Sequence, residues 1–218
     1  MTTAEFTTLA SDLKILSSKI PLHWGSIQNN YVDDQINMFS ITSYTDLERN
    51  IAHLTEEHKN YLRRRWYLWK CSECDEYLFY INSNTEKNPN PYDKEFDIII
   101  NNKYKFDIKG TVIPKDLRRD VNDVISHPER MIKFFYDKQS TGRRFDIQNR
   151  LFIVHHSFID QRREFYLRCA WDAKKVIYKA FCDKIDHIKF SDIYNVKAGV
   201  IFILEKDTEH IDYKISGL

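Results

Sequence analysis

The sequence predicts an α/β (α+β) protein: a mixed central sheet flanked by helices, with a mainly helical N-terminal region. Three observations predict it. Before residue 82, apolar residues recur at three- and four-residue steps. From Phe96 the period changes to two. A helical stretch over residues 118–138 then separates this hairpin from a short apolar run at 151–155, the order of a sheet with a helical crossover.

Residues 3–19 read as a first helix and 21–40 as irregular, with Gly25 and the polar run Gln28-Asn29-Asn30. Ser43 or Thr45 can cap a helix from Asp46, with Glu48 in its first turn. Residues 60–80 form a strong helix pattern in which Leu62, Trp66, Trp69, Glu73, Glu76 and Tyr80 share one face. Residues 82–92, with Asn84, Asn88, Pro89, Asn90 and Pro91, read as a loop. Residues 96–100 and 104–108 are strands joined by a tight turn at Asn101-Asn102-Lys103. Pro128 breaks the following helix near His127, where Ser126 can cap a second segment. Strands are expected at 151–155, 165–169 and 200–204, and a helix at 173–182. The chain divides into an acidic helical region, 1–58, and a core with a C-terminal extension, 59–218.

The 218 residues suffice for a real hydrophobic core, and 42% hydrophobic with 30% charged residues excludes a disordered chain. The longest apolar stretches are far too short to cross a bilayer, and no secretory signal opens the sequence, so a cytoplasmic protein is expected. Four cysteines are too few for a disulfide framework. Cys71-x-x-Cys74 lacks a second knuckle to complete a zinc site, so these are expected to be reduced, partly buried thiols. The five glycines are too scattered for a Gly-x-Gly turn or a Walker loop. The net charge of +1 hides an asymmetry. Residues 1–58 carry three basic against eight acidic side chains, a net of −5, which leaves +6 for the remainder.

Chemistry concentrates in residues 97–109. Asp97 heads one hairpin strand, and Asp107 and Lys109 lie near the end of the other. Side chains alternate along a strand, so Asp107 and Lys109 share a face while Ile108 points into the core. Carboxylates beside apolar strands are costly unless paired, and a divalent cation pairs them. With a lysine alongside, this set suits phosphodiester hydrolysis, with Mg²⁺ (or Mn²⁺) neutralising phosphate charge.

The arrangement Asp97, nine residues, Asp107-Ile108-Lys109 resembles the PD-(D/E)XK nuclease superfamily, the restriction-endonuclease-like fold. The resemblance covers roughly the middle half of the chain, and Phe96 stands where the motif often has proline. It implies Asp97 and Asp107 as metal ligands, Lys109 as the catalytic lysine, and Glu76 or Glu73 as an assisting acid on the preceding helix. It further implies a Mg²⁺-dependent endonuclease, DNA as substrate and a homodimer for double-strand cutting. The alternative is a non-catalytic nucleic-acid-binding or assembly module on the same fold. Acid-x-Lys also occurs at Asp12, Glu57, Asp172 and Asp212, but only Asp107 has a preceding helix, a strand with its own Asp and a following helix–strand unit.

The basic residues around Trp66 and Trp69, including Arg63 and Arg64, suit either phosphate contact or a solvated helix face. Lys115, Arg118 and Arg119 follow the motif strand and are further candidates for phosphate binding. Arg143-Arg144 and Arg162-Arg163 read as solvated loop pairs, and His155-His156 as strand-end histidines.

Overall fold

A computed structural model describes residues 1–21, 30–90, 95–139, 149–193 and 195–218. The chain forms two compact units, Met1–Cys74 and Asp75–Leu218.

The first unit is helical. Helix α1, Thr3–Ser17, opens on a reciprocal cap: the Glu5 backbone donates to the Thr2 hydroxyl, and the Thr2 backbone donates to the Glu5 carboxylate. It buries Leu9, Leu13 and Leu16. Within the stretch expected to be irregular lie a short helix, α2, Asn30–Gln35, and a single 3₁₀ turn, Met38–Ser40. Residues 22–29, including Gly25, lie outside the described residues. Ser43 is the cap of α3, Tyr44–Ile51, and its hydroxyl accepts from the Asp46 backbone at 3.1 Å. Helix α4, Glu56–Tyr80, starts here and runs on into the second unit. Its buried stripe differs from the expected one. Leu62 and Trp66 are fully buried but Trp69 is 44% exposed, and the buried positions continue through Lys70 and Cys74. From Trp66 the buried path takes the four-residue step rather than the three-residue one.

The second unit is built on a seven-stranded sheet in the order β1-β2-β3-β4-β6-β5, with β7 also paired to β6. The strands are β1 Thr85–Lys87, β2 Ile98–Ile100, β3 Tyr104–Val112, β4 Arg150–Ser157, β5 Ser191–Ile193, β6 Val196–Glu205 and β7 Ile211–Ile215. Strands β3, β4 and β6 run parallel, and all other pairings are antiparallel. Strand β1 falls inside the expected loop, where Thr85 pairs with Ile100. At the hairpin tip Asn101 and Asn102 have φ of 51° and 53°, a left-handed backbone that asparagine tolerates, and the Lys103 N–H donates to the Ile100 carbonyl.

Helices α5, Val121–Ser126, and α6, Pro128–Gln139, connect β3 to β4. The break falls at His127, but Pro128 itself is the first helical residue of α6, and Ser126 ends α5 rather than capping α6. Residues 165–169 are not a strand. Helix α7, Arg163–Leu167, occupies that stretch, with Glu164 and Leu167 buried one helical turn apart. Helix α8, Trp171–Asp183, completes the unit. One sheet face packs Phe152, Val154, Val200 and Phe202 against Met131 and Phe135 of the α5–α6 pair. On the other, Phe106 meets Phe181 of α8, and Phe79 stacks on Tyr178 at 4.1 Å. No helix among the described residues is long and apolar enough to cross a membrane.

Candidate functional site

Strand alternation divides β3 between these faces. Phe106, Ile108 and Gly110 belong to the α8 side, so Asp107 and Lys109 lie on the α6 side. Ile98 pairs with Phe106, and the Asp97 N–H donates to the Phe106 carbonyl at 2.9 Å, which brings Asp97 beside Asp107. Strand β2 begins only at Ile98, and the Asp97 carboxylate takes over at its end by accepting the Ile108 backbone N–H at 2.7 Å. The Lys109 ammonium donates to Asp107 Oδ1 at 2.5 Å. The three motif residues thus converge.

Asp107 also faces a residue that the sequence did not single out. Arg150 is its register partner on β4, with Nε 3.4 Å from Asp107 Oδ2 but outside hydrogen-bond geometry, and its guanidinium lies 5.2 Å from the Tyr136 ring centroid. Among the described residues, Asp107 Oδ2 and Arg150 Nε and Nη1 are buried without a hydrogen-bond partner. Burial, and then the neighbouring Asp107 charge, hold the Asp97 carboxyl above the usual range. Burial likewise pushes the Tyr136 phenol up to about 12, against the opposing pull of Arg150.

The other expected site residues have partners of their own or are exposed. Glu76 stands 3.9 Å from Lys87. Glu73 accepts from Trp69 at 2.7 Å and Lys70 at 2.9 Å. Among the described residues, no group of three or more His, Cys, Asp or Glu is arranged to hold a metal. Cys71, Cys74 and Cys182 are buried thiols. Arg63 is held by both Glu48 oxygens, at 2.8 and 2.7 Å, and by Glu56 at 2.6 Å, and Arg64 donates to the Pro21 carbonyl. Lys115 and Arg119 are exposed just after β3. Arg118 is bound by both oxygens of the buried Glu164, at 2.8 and 2.7 Å, and by the Ile113 carbonyl. Arg143 and Arg144 lie outside the described residues.

Two further charge clusters surround the sheet. At the C-terminal ends of β4 and β6, Glu164 also meets His156 Nδ1 at 3.1 Å, while Glu205 accepts from Arg163 Nε and Nη2 and from the Ser157 hydroxyl. On the α8 side, the fully buried Lys174 donates to Asp75 Oδ1 at 2.8 Å, as does the Tyr178 hydroxyl. His155 is completely buried with Nδ1 against the Thr111 carbonyl.

Two adjacent aspartates could hold a single Mg²⁺ if Lys109 released Asp107 Oδ1, since Oδ2 faces the Arg150 guanidinium. That ion typically takes one or two protein carboxylates and fills its remaining positions with water and substrate oxygens. Comparison with known proteins finds no family model, no curated protein and no solved structure that matches this chain. The resemblance to PD-(D/E)XK nucleases therefore rests on Asp97, Asp107, Lys109 and the strands that carry them.

Proposed function

We propose that this protein is a Mg²⁺-dependent nuclease of the PD-(D/E)XK type that hydrolyses phosphodiester bonds, with DNA as its substrate. The observation that carries this reading is the convergence of Asp97, Asp107 and Lys109 on one face of the hairpin, with both carboxylates next to each other.

Asp97 and Asp107 would hold the cation. When bound, Mg²⁺ would neutralise charge on a phosphate oxygen and acidify water beside it. The Ile108 N–H fixes the orientation of the Asp97 carboxylate, and the β3 backbone fixes Asp107. Lys109 has the most open side chain of the set with Asp107 and Arg150, at 36% exposed. Its ammonium can leave Asp107 to donate to a phosphate oxygen or to orient the attacking water. Lys115 and Arg119, exposed just after β3, are the candidate contacts to flanking phosphates. Arg63 and Arg118 are already held by carboxylates that cancel their charge, so they are not assigned phosphate contacts.

The test is cleavage of plasmid DNA and of a labelled RNA in Mg²⁺ or Mn²⁺ by wild type, Asp107→Ala and Lys109→Met. The expected result is DNA cutting by wild type and a loss of about 10²–10³ in rate for each variant. Equal cutting by wild type and Asp107→Ala would remove the site. Salt-dependent DNA binding without any cutting would favour a non-catalytic binding module.

A further inference from the structure

We infer that Arg150 is a fourth functional side chain of this site, supplying the positive charge of a second cation, so that the site takes one divalent ion per chain. The inference rests on the nuclease reading above and extends it to the number of cations and to a residue outside the motif.

The two oxygens of Asp107 face different kinds of cationic group. Oδ1 carries the Lys109 ammonium, on a flexible stem 36% exposed to solvent. Oδ2 faces Arg150, whose side chain is only 8% exposed, is fixed in strand register with Asp107 and lies over the Tyr136 ring. Lysine can swing away and vacate its oxygen, whereas arginine in this packing cannot. A lone cation can therefore enter beside Asp97 on the side that Lys109 gives up. A second one, on Oδ2, would sit against a buried guanidinium, where the low-dielectric surroundings leave the repulsion strong. The ligand supply agrees. Two-metal sites hold their ions roughly 3.5–4 Å apart between several shared acidic ligands. Here, among the described residues, no third acidic group joins the pair. Arg150 also keeps Nε and Nη1 buried without hydrogen bonds. Such donors are costly unless something anionic completes them, and a phosphate oxygen brought in by substrate is that group.

The experiment titrates the full chain with Mn²⁺, counting bound ions by the loss of the free-ion electron paramagnetic resonance signal and by calorimetry. Wild type, Asp107→Asn, Arg150→Gln and Arg150→Lys are compared, with plasmid cleavage measured in parallel. The expected result is one Mn²⁺ per wild-type chain, lost in Asp107→Asn. Arg150→Gln should bind Mn²⁺ at least as tightly as wild type yet cut more slowly by about 10²-fold. Arg150→Lys should recover part of that rate, because it restores the charge without the fork. Two Mn²⁺ ions per wild-type chain, both lost in Asp107→Asn, would overturn the inference, as would undiminished cutting by Arg150→Gln. The wild-type ion count decides the point even if Arg150→Gln fails to fold. Wild type that binds one Mn²⁺ but cuts no nucleic acid overturns the nuclease reading and leaves the single-cation site standing.

Discussion

Glu205 and Asp97 are carboxylates at two ends of the same sheet, and burial pushes the pKa of both upward. At Glu205 the hydrogen bonds from Arg163 and Ser157 outweigh burial, and the carboxyl ends below the usual range. At Asp97 the nearest charge is another carboxylate, Asp107, so the two effects add and the carboxyl ends above it. Glu164 resembles Glu205: both oxygens are taken by Arg118, and His156 shares one. Asp107 resembles Asp97, with one oxygen on Lys109 and the other without a hydrogen bond. Charge at the C-terminal strand ends is balanced within the protein and acts to pin α7 to the sheet. At the hairpin the two carboxylates are matched in number by Lys109 and Arg150, but Asp107 Oδ2 and Arg150 Nε and Nη1 are left without hydrogen bonds, which favours a ligand that completes them.

Substitutions should separate the two regions. The largest effect is expected for Glu164→Ala, which strands Arg118 and His156 at the sheet end. It should cost about 3–5 kcal/mol in urea unfolding, the range for breaking a buried pair. Asp97→Asn is the opposite case. It removes a like charge from beside Asp107 and keeps an oxygen for the Ile108 N–H. Stability at pH 7 should be unchanged or higher, because a carboxyl whose pKa is raised by folding opposes folding once ionised. Cleavage should nevertheless fall by about 10²–10³. If Asp97→Asn unfolds the protein while Glu164→Ala is tolerated, the two regions have been assigned the wrong way round.

The hairpin was legible because its signals are local. Alternation places Asp107 and Lys109 together, and Asn101-Asn102 supplies the turn that brings Asp97 alongside. The helix caps at Thr2 and Ser43 are local in the same sense. The features that escaped depend on partners distant in sequence. Asp75 and Lys174 look like ordinary charged helix residues, yet each is buried by the other across 99 positions. Arg150 meets Asp107 only through the parallel register of β3 and β4, which the intervening helices set and no pattern within β4 reveals. Residues 165–169 misled because a short apolar run fits strand or helix equally. The Glu164–Arg118 pair, 46 positions apart, fixes that stretch as a helix.

A smaller effect is expected from pH, through His155 on the α8 side. Burial first, then the charges of Lys174 and Arg168, hold this imidazole well below its usual range, against the hydrogen bond to Thr111. The unfolded chain takes up a proton near the ordinary value of about 6.5, and the folded chain does not. The stability at stake is therefore fully present above that pH and declines below it, by up to about 1.4 kcal/mol per pH unit. Urea unfolding at pH 7.0 and about 5.5 should show a steeper decline for wild type than for His155→Asn. Equal slopes would mean that the buried imidazole accepts a proton in place despite Lys174 and Arg168.

The smallest effect tests whether the two faces of β3 are independent. Gly110 comes directly after Lys109 but faces α8, and a Cβ there would come within 2.9 Å of Arg168 Nη1 and 3.8 Å of Asp75 Oδ2. The closer atom is the end of a long side chain, so a small rotation of Arg168 relieves the clash, although Arg168 is buried and has little room. Overpacking of this kind costs about 1 kcal/mol at the low end. Replacing glycine within a strand returns part of that, because the unfolded chain loses backbone freedom. Gly110→Ala should thus shift unfolding by no more than about 1 kcal/mol and leave Mn²⁺ binding and cleavage within about twofold of wild type. Asp107 and Lys109 hang from the same strand on its other side, so their positions depend on the β3 backbone and not on Arg168. A Gly110→Ala protein of normal stability that bound Mn²⁺ tenfold more weakly would show that the backbone shifts instead of the arginine, making the α8 cluster a support for the site rather than separate from it.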